Sequence, residues 1–418
     1  MKIAVLTIGD EICMGQVVNS NAAWIAYECS KLGCDVTTHS SIGDEEGIII
    51  SELGRLLALN DAVLITGGLG PTPDDLTKPA LAKFFGDTLE FHQPTLESLT
   101  KRYLKRGIKI TEGNKSIALL PQKCTLLDNS VGTAPGMLFI GNGKTVVSMP
   151  GVPAEMKAIM SGHVLPYIKE LLNKSGSPVK LFKTLQTIGI AESLLAELIG
   201  DVSEFIGSSS LAYLPSYRGV RLRINSHGPD ISEAEAELER IAAIISQRAG
   251  KYIFGGEGDT ISRVVGDLLK TKGLTVSVAE SCTGGMLGAA FTDNPGSSAY
   301  FAGGVITYSN EVKIRLLGVK ESTIADYGAV SRETAIEMAA NVRAKFDTDF
   351  GISITGIAGP DGGTETKPVG TVWIGLADKE NSIAEKFLFG RNRSVNREFS
   401  VGYALNMLYQ RLRGNVRN

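Results

Sequence analysis

A serine in the last third of the chain has the setting of a catalytic nucleophile. Ser281 lies in the run ESCTGG (280–285), between a predicted strand over 274–279 and a predicted helix over 286–291. A hydroxyl at such a turn stands clear of the sheet, and free N–H groups at the start of the helix could hold an oxyanion. The sequence therefore predicts nucleophilic chemistry at this turn.

A nucleophilic serine needs a base, and the last histidine of the sequence is His227. Lysine is the remaining choice, and the run TYSNEVK (307–313) supplies Lys313 after the next apolar strand. An ordinary lysine has a pKa of about 10.4, so burial or a nearby cation would have to lower it. Tyr308 could relay the proton or orient the amine.

Each of these residues also has a simpler interpretation. Ser281 could only cap a helix, and Lys313 could be an exposed helix residue. Cys282 is a chemical rival, since a thiol is the better nucleophile at neutral pH. No acid or histidine partner for Cys282 is evident, and a small buried thiol is the ordinary expectation.

Two further turns in this region have the composition of ligand-binding loops. The run TGIAGPDGG (355–363) follows a predicted strand over 350–355, and the run GRNR (390–393) precedes a predicted helix over 394–412. An arginine at such a turn suits a phosphate, to which its guanidinium donates two parallel hydrogen bonds.

A glycine-rich acidic turn near residue 70 is a second candidate site. The run TGGLGPTPDDLT (66–77) follows a predicted strand over 61–66. Glycines let backbone N–H groups approach an anion, but Asp74 and Asp75 would repel a phosphate unless a divalent cation lay between them. Asp10, Glu11 and Asp44 also follow strands, where ligands bind in open α/β sheets. The alternative is that Asp74 and Asp75 only cap a helix.

The pattern of strands and helices predicts an α/β protein. We expect two α/β domains with mostly parallel sheets, over residues 1–170 and 258–418, on either side of a small α+β domain over 171–257. The first domain reads as alternating buried strands and helices. The middle domain reads as strand, helix, two strands, helix and strand, and the helix over 232–247 is clearly amphipathic.

Composition excludes several broad classes of protein. Hydrophobic residues make up 43% of the 418, charged residues 21%, and the net charge is −3, which argues against a general nucleic-acid or anionic-membrane binder. No apolar run is long enough for a signal peptide or a membrane span. Five cysteines without a CxxC pair predict reduced thiols in the cytoplasm, and four isolated histidines argue against structural zinc.

Four runs in the first domain resemble the molybdopterin-binding-like domain of CinA proteins: GDEICMGQVVNSN (9–21), TGGLGPTPDDLT (66–77), VGTAPGM (131–137) and MPGVPAEM (149–156). The resemblance implies metal-dependent hydrolysis of ADP-ribose to AMP and ribose 5-phosphate. The metal would be Mg, Mn, Co or Ni, with K as a possible addition, held by Glu11, Asp44 and Asp75. The implied nucleotide-binding residues are Gly67, Gly68, Gly70, Thr72, Asn19, Asn21, Pro150 and Gly151.

Five runs in the last domain resemble, in order and spacing, the CinA C-terminal domain, a nicotinamide mononucleotide amidohydrolase: AESCTGG (279–285), GGVITYSNEVK (303–313), GAVS (328–331), TGIAGPDGGTETKPVGTVW (355–373) and GRNR (390–393). The resemblance implies Ser281 as nucleophile, Lys313 as its base, Tyr308 as an assistant, and no metal. The implied substrate-binding residues are Thr283, Gly284, Gly285, Thr355, Gly356, Gly359, Arg391 and Arg393. The family's Gly-Asp-Arg turn has one extra residue here, which leaves both arginines open as the phosphate ligand.

The middle domain resembles a KH-like module in this family. The GXXG clamp that RNA-binding KH domains need occurs only at 255–258, beyond the last predicted strand, so we expect no nucleic-acid binding. A spacer or a dimer contact is the expected role, and we expect a homodimer. Two alternatives stay open: a pterin-binding adenylyltransferase in the first domain, and an interaction protein associated with competence or recombination.

Overall fold

The structure is a computed structural model that describes residues 1–105, 107, 109–175, 179–216 and 219–414. Its contacts group into two compact units: residues 1–182 with 226–237, and residues 183–225 with 238–418. The three-domain division stays a prediction. No helix in the described ranges is both long and apolar enough to cross a membrane.

The first 175 residues alternate strands and helices, as the sequence predicts. The strands are β1 (Lys2–Ile8), β2 (Asp35–Ile42), β3 (Ala62–Thr66), β4 (Leu89–Phe91), β5 (Leu119–Pro121), β6 (Thr125–Leu127), β7 (Gly136–Gly141) and β8 (Lys144–Met149). The helices are α1 (Asp10–Cys13), α2 (Ser20–Lys31), α3 (Glu46–Leu59), α4 (Thr77–Phe84), α5 (Gln93–Lys105), α6 (Glu112–Lys115), α7 (Pro153–Ile159) and α8 (Leu165–Ser175), with a 3₁₀ turn over Ser116–Ala118 and a π turn over Met160–Val164.

A six-stranded sheet in the order β2-β1-β3-β8-β7-β6 forms the centre of this region. The pairs β1–β2, β1–β3 and β3–β8 are parallel, and the pairs that β7 forms with β8 and β6 are antiparallel. Both faces of the sheet are covered, since Leu6 and Ile65 pack with Leu53 of α3 while Val5 and Leu64 pack in a separate core. The continuous apolar run of β1 is explained by this burial on two faces.

The middle segment has the predicted order of elements. It consists of β9 (Val179–Thr187), α9 (Glu192–Ile199), β10 (Ser210–Ser216), β11 (Gly219–Gly228), α10 (Ile231–Ala249) and β12 (Ile253–Gly255), with a 3₁₀ turn over Val202–Glu204. Its sheet has the order β10-β11-β9-β12. Burial alternates along β11, as expected of a strand with one exposed face.

The C-terminal region contains the strands β13 (Val276–Glu280), β14 (Phe301–Ile306), β15 (Phe350–Gly356), β16 (Thr371–Ala377) and β17 (Ser382–Leu388). Its helices are α11 (Ile261–Lys272), α12 (Met286–Thr292), α13 (Asn310–Leu317), α14 (Glu321–Tyr327), α15 (Arg332–Phe346) and α16 (Arg393–Leu412), with a 3₁₀ turn over Ser297–Ala299.

The C-terminal sheet has the order β14-β13-β15-β16-β17. β13 pairs in parallel with both β14 and β15, whereas β15–β16 and β16–β17 are antiparallel, so this sheet is mixed and less parallel than expected. β16 and β17 pair in antiparallel fashion because a short turn joins them and no crossover helix lies between them. β13 is therefore a central strand whose carboxyl end lies between two parallel neighbours.

Candidate functional site

Ser281 follows directly after β13, at the carboxyl end of this central strand. Its backbone N–H donates to the carbonyl of Ile354 at 3.0 Å, and Thr307 N–H donates to the carbonyl of Glu280 at 2.7 Å. These bonds continue the ladders on both sides of β13. The position of the serine is therefore fixed by the sheet and not by a free loop.

Lys313 lies on α13 and reaches Ser281. Its Nζ lies 3.1 Å from Ser281 Oγ and donates to the carbonyl of Thr307 at 2.8 Å. The side chain is 1% exposed, so the interpretation of Lys313 as an exposed helix residue is wrong. Burial lowers the pKa of the amine from 10.5 to about 8, because the charged form loses hydration. The lysine thus contacts Ser281, and its lowered pKa leaves a minor but usable fraction of the amine neutral at physiological pH.

Cys282, the rival nucleophile, has an unfavourable environment for a thiolate. The residue is buried, and burial raises the pKa of its thiol from 9.0 to about 11, with the Lys313 charge opposing weakly. A thiol of that pKa is almost wholly protonated at neutral pH, and the protonated form is a poor nucleophile. The geometry favours Ser281 over Cys282.

The backbone N–H groups at the start of α12 are not the free donors that the sequence suggests. The buried carboxylate of Glu280 accepts hydrogen bonds from the N–H groups of Gly285, Leu287 and Gly288, at 3.0, 3.1 and 2.8 Å. A negatively charged cap at this position is stabilised by the helix dipole. These three N–H groups are therefore engaged, and an oxyanion would need other donors.

Tyr308 and Arg393 meet at the edge of the same site. Arg393 donates to the carbonyl of Gly359 at 2.8 Å and to the Tyr308 hydroxyl at 3.2 Å. Tyr308 is 64% exposed. Arg391, by contrast, has only backbone groups in described bonds: its N–H donates to Asn396 Oδ1 and its carbonyl accepts from Asn396 Nδ2. Of the two arginines left open by the sequence, Arg393 is the one that the structure brings to the loop around Gly359.

The remaining predicted substrate residues shape the backbone of the site. Thr355 is buried, and its hydroxyl donates to the carbonyl of Ala329 at 2.7 Å, so this side chain ties two loops together. Thr283 is fully buried. A Cβ on Gly356 would lie 2.7 Å from Val372 and one on Gly359 would lie 2.6 Å from Val369, which explains why both positions need glycine. Gly284 and Gly285 have positive φ.

A cleft of about 450 Å³ at the carboxyl ends of β1 and β3 holds most of the predicted residues of the first site. Its size is within the range of small-molecule sites. The predicted residues that line it are Glu11, Asn19, Asn21, Asp44, Gly67, Gly68, Gly70, Asp75, Pro150 and Gly151. Thr72 is the predicted residue that does not line the cleft.

Asp75 closes the glycine-rich turn on itself. One carboxylate oxygen accepts the N–H of Gly70 at 2.8 Å, and the other accepts the N–H of Thr72 at 2.8 Å as well as the Thr72 hydroxyl. Gly67 and Gly68 have positive φ and approach Ile8 and Thr77 too closely for any side chain. The turn is therefore held in one conformation by its own residues.

The predicted metal ligands share the cleft but do not form a ligand set. Within the described ranges, no group of three or more Asp, Glu, His or Cys side chains is arranged to hold a metal ion. The pKa of Asp44 is raised, chiefly by partial burial and then by the charges of Asp10 and Glu11, while Asp75 is committed to Gly70 and Thr72. The carboxylates suit a hard cation chemically, but the expected trio does not fit one as arranged.

The two asparagines of the first site have structural bonds. Asn19 caps α2 through the N–H of Ala22 and donates to Thr7. Asn21 donates to the carbonyl of Gly151 at 2.7 Å and to Thr66 at 3.0 Å, which joins two sides of the cleft. Both asparagines therefore fix the walls of the cleft.

Two residues of the C-terminal site were missed by sequence reasoning: Glu280 and Arg397. Arg397 donates to the carbonyl of Thr283 at 2.7 Å. A signal for it existed, because Arg397 lies four residues after Arg393 on one helix and therefore faces the same way. Glu280 precedes the serine directly, but nothing in the sequence distinguishes a capping glutamate from an exposed one.

Comparisons with known proteins match three consecutive segments of the chain. The chain matches three family profiles: the probable molybdopterin binding domain over residues 4–170, the Damage-inducible protein CinA KH domain over 182–255, and the CinA C-terminal domain over 258–412. The KH-like character of the middle segment and the α/β fold class are thereby confirmed.

Curated relatives match this chain over nearly its whole length. A CinA-like protein of Gemmatimonas aurantiaca is 42% identical over 98% of this chain and 96% of its own length, and one of Chloroherpeton thalassium is 41% identical over 99% of each chain. Among solved structures, the competence/damage inducible protein CihA of Agrobacterium tumefaciens is 37% identical, covering 37% of this chain and 97% of its own, with a TM-score of 0.35. The chain belongs to the CinA family.

Proposed function

We propose that the C-terminal region hydrolyses the carboxamide of nicotinamide mononucleotide to nicotinic acid mononucleotide and ammonia. The observation that carries the proposal is the distance of 3.1 Å between Lys313 Nζ and Ser281 Oγ in a buried setting. A nucleophile and a base in direct hydrogen-bond contact are the minimum equipment of covalent acyl transfer. The choice of substrate comes from the family resemblance.

In the first step, neutral Lys313 accepts the proton of the Ser281 hydroxyl while Oγ attacks the carboxamide carbon. The carbonyl π bond becomes a C–O⁻ bond, and a tetrahedral intermediate forms. Lys313 then gives the proton to the amide nitrogen, the C–N bond breaks, and ammonia departs. The enzyme is left as an ester of Ser281 with a neutral lysine.

Water completes the reaction by the same route. Lys313 accepts a proton from water as the oxygen attacks the ester carbon, and it returns the proton to Ser281 Oγ as the ester bond breaks. The acid product loses its proton to solvent, so the net change is amide plus water to carboxylate plus ammonium. The hydrogen bond from Lys313 to the Thr307 carbonyl keeps the amine oriented through both steps.

The groups at the edge of the site suit a mononucleotide. Arg393 uses two of its N–H groups on Gly359 and Tyr308, and a guanidinium carries five, so donors remain for a phosphate. The exposed ring of Tyr308 offers a face to a cationic pyridinium ring. We propose Arg393 as the phosphate ligand and Tyr308 as the residue that positions it.

The test is ammonia release from nicotinamide mononucleotide by the purified full-length protein. The parent and Cys282→Ala should release ammonia, and Ser281→Ala and Lys313→Met should not. Because Cys282 is the neighbouring buried residue, it is the matched control for damage to the turn. Activity in Ser281→Ala, or its loss in Cys282→Ala alone, would refute the assignment.

For the first region we propose binding and hydrolysis of ADP-ribose to AMP and ribose 5-phosphate. The supporting observation is the cleft beside the rigid glycine turn, whose volume is that of a small-molecule site and which most of the predicted nucleotide-binding residues line. A divalent cation remains part of the proposal. Because the trio of Glu11, Asp44 and Asp75 is not gathered as a ligand set, no step is assigned to it.

The assay follows AMP formation from ADP-ribose with and without a chelator, beside an assay for adenylylation of molybdopterin. Chelator-sensitive AMP formation supports the proposal. Adenylylation in the absence of ADP-ribose cleavage would favour the adenylyltransferase alternative. Ser281→Ala serves as the control, since it should leave the ADP-ribose reaction unchanged.

A further inference from the structure

The turn after Ser281 leaves two backbone N–H groups unengaged. The N–H of Gly284 donates to the carbonyl of Ser281 at 3.1 Å, which closes a four-residue turn with Cys282 and Thr283 at its centre. The amides of these two central residues donate to no acceptor in the described part of the chain. In a turn closed in this way, the central N–H groups have no partner within the turn.

Other donors near the serine are occupied. Glu280 takes three N–H groups at the start of α12, and Ile354 takes the N–H of Ser281 itself. The donors left next to the nucleophile are the amides of Cys282 and Thr283. An oxyanion formed by attack of Ser281 needs donors that are already in place.

Arg397 holds this turn from the opposite side. Its Nη2 donates to the carbonyl of Thr283 at 2.7 Å and lies 3.7 Å from the point where a Cβ on Gly284 would be. Its Nε is buried and has no hydrogen-bond acceptor among the described residues. The guanidinium therefore lies beside the turn without a direct ion pair among the described residues, and the carboxylate nearest along the turn is that of Glu280.

We propose that Arg397 is a positioning residue for the amidase reaction, which fixes the turn so that the amides of Cys282 and Thr283 receive the oxyanion. Its hydrogen bond restrains the Thr283 carbonyl, and its positive charge favours negative charge at the turn. This inference rests on the proposed function, because it concerns the same nucleophile.

The experiment compares Arg397→Met and Arg397→Lys with the parent in two assays. The first measures kcat and KM for nicotinamide mononucleotide. The second measures the rate at which a small fluorophosphonate without a nucleotide phosphate labels Ser281, read by mass spectrometry with Ser281→Ala as blank. Arg315→Met is the matched control, since Arg315 is an exposed arginine on α13 paired with Glu311.

We expect Arg397→Met to lower kcat about 100-fold with KM changed less than threefold, and to slow labelling by a similar factor. Arg397→Lys should recover part of kcat and part of the labelling rate, because lysine restores the positive charge. A raised KM with unchanged kcat and unchanged labelling would show that Arg397 binds the substrate phosphate instead, and would overturn the inference. If Arg397→Met does not fold, the lysine variant decides by the same criteria.

The two proposals can fail separately. If the parent does not deamidate nicotinamide mononucleotide, the proposed substrate is wrong, but the labelling comparison still tests the role of Arg397. If the parent is active and both Arg397 variants label and turn over normally, the inference alone is wrong.

Discussion

Replacing Lys313 by methionine should abolish the amidase reaction and stabilise the protein. A buried amine with a depressed pKa is an energetic cost to the fold at any pH where the unfolded chain would be protonated. The pKa falls from 10.5 to about 8, and each unit is worth about 1.4 kcal/mol, so the cost at neutral pH is about 3 kcal/mol.

Methionine has a similar length and no charge, so it removes this cost. It also removes the hydrogen bonds to Ser281 and Thr307, which are worth about 1 kcal/mol each in favourable cases. The balance is a gain of about 1–2 kcal/mol. For a unit of this size, that gain corresponds to a rise of about 3–6 °C in the midpoint of thermal unfolding.

The pH dependence gives the sharper test. Between about pH 8 and 10.5 the unfolded chain binds a proton on this amine and the folded chain does not, so the stability of the parent rises with pH in that range. The variant lacks the group and shows no such rise. The advantage of the variant should therefore be largest below pH 8, should shrink as the pH rises, and should reverse by about pH 10.5, where the buried amine no longer costs stability and only the loss of its hydrogen bonds remains.

Scanning calorimetry of the full chain at pH 7 and pH 10 measures the difference in thermal midpoint between the variant and the parent and its change with pH. The unfolding transition that differs between the two proteins is assigned to the C-terminal unit. Lys320→Met, at an exposed position in the same region, controls for the loss of one surface charge. A Lys313→Met protein that is less stable than the parent at pH 7 would refute the conclusion that burying Lys313 costs stability. So would an advantage of Lys313→Met over the parent that grows between pH 7 and pH 10.

Three other outcomes are expected. The rate of deamidation at low substrate should rise tenfold per pH unit below about pH 8 and level off above it, because Lys313 must be neutral; a rate that is flat from pH 6 to 8 would contradict this. Glu280→Ala should lower the thermal midpoint of the C-terminal unit by more than 5 °C, since three N–H groups lose their acceptor. Glu280→Gln should lower the midpoint less, and a Glu280→Ala midpoint equal to that of the parent would show that the cap is dispensable. Asp75→Asn should reduce ADP-ribose cleavage; a loss of orders of magnitude with unchanged melting indicates a charge role, whereas a modest loss with a lower midpoint indicates the turn-closing role seen here.

Much of the architecture was predictable because the strands are buried on both faces. The strands predicted over 61–66 and 350–355 are β3 and β15 to within one residue at each end, and the caps of α11 and α13 are side chains with clear preferences, Thr260 and Ser309. The mixed pairing of the C-terminal sheet was not predictable, because the direction in which a strand pairs depends on the connection that brings the chain back to the sheet. The residue pattern of the strand itself does not determine it.

The candidate sites were predictable in type and less so in detail. Lys313 looks like an exposed helix residue in sequence, and only the packing of α13 against the end of β13 buries it. Asp75 looks like a metal ligand until its bonds to Gly70 and Thr72 are known. Burial and hydrogen-bond partners are properties of the assembled chain, so sequence spacing alone leaves such roles open.

The buried Cys282 next to the nucleophile has a consequence for how the protein meets oxidants. With a pKa of about 11, about one thiol in ten thousand is ionised at pH 7, and peroxides react with the ionised form. A hydroxyl nucleophile has no comparable oxidation chemistry. The amidase centre should therefore keep working, and iodoacetamide or hydrogen peroxide should leave it intact, under conditions that inactivate enzymes whose nucleophile is a cysteine.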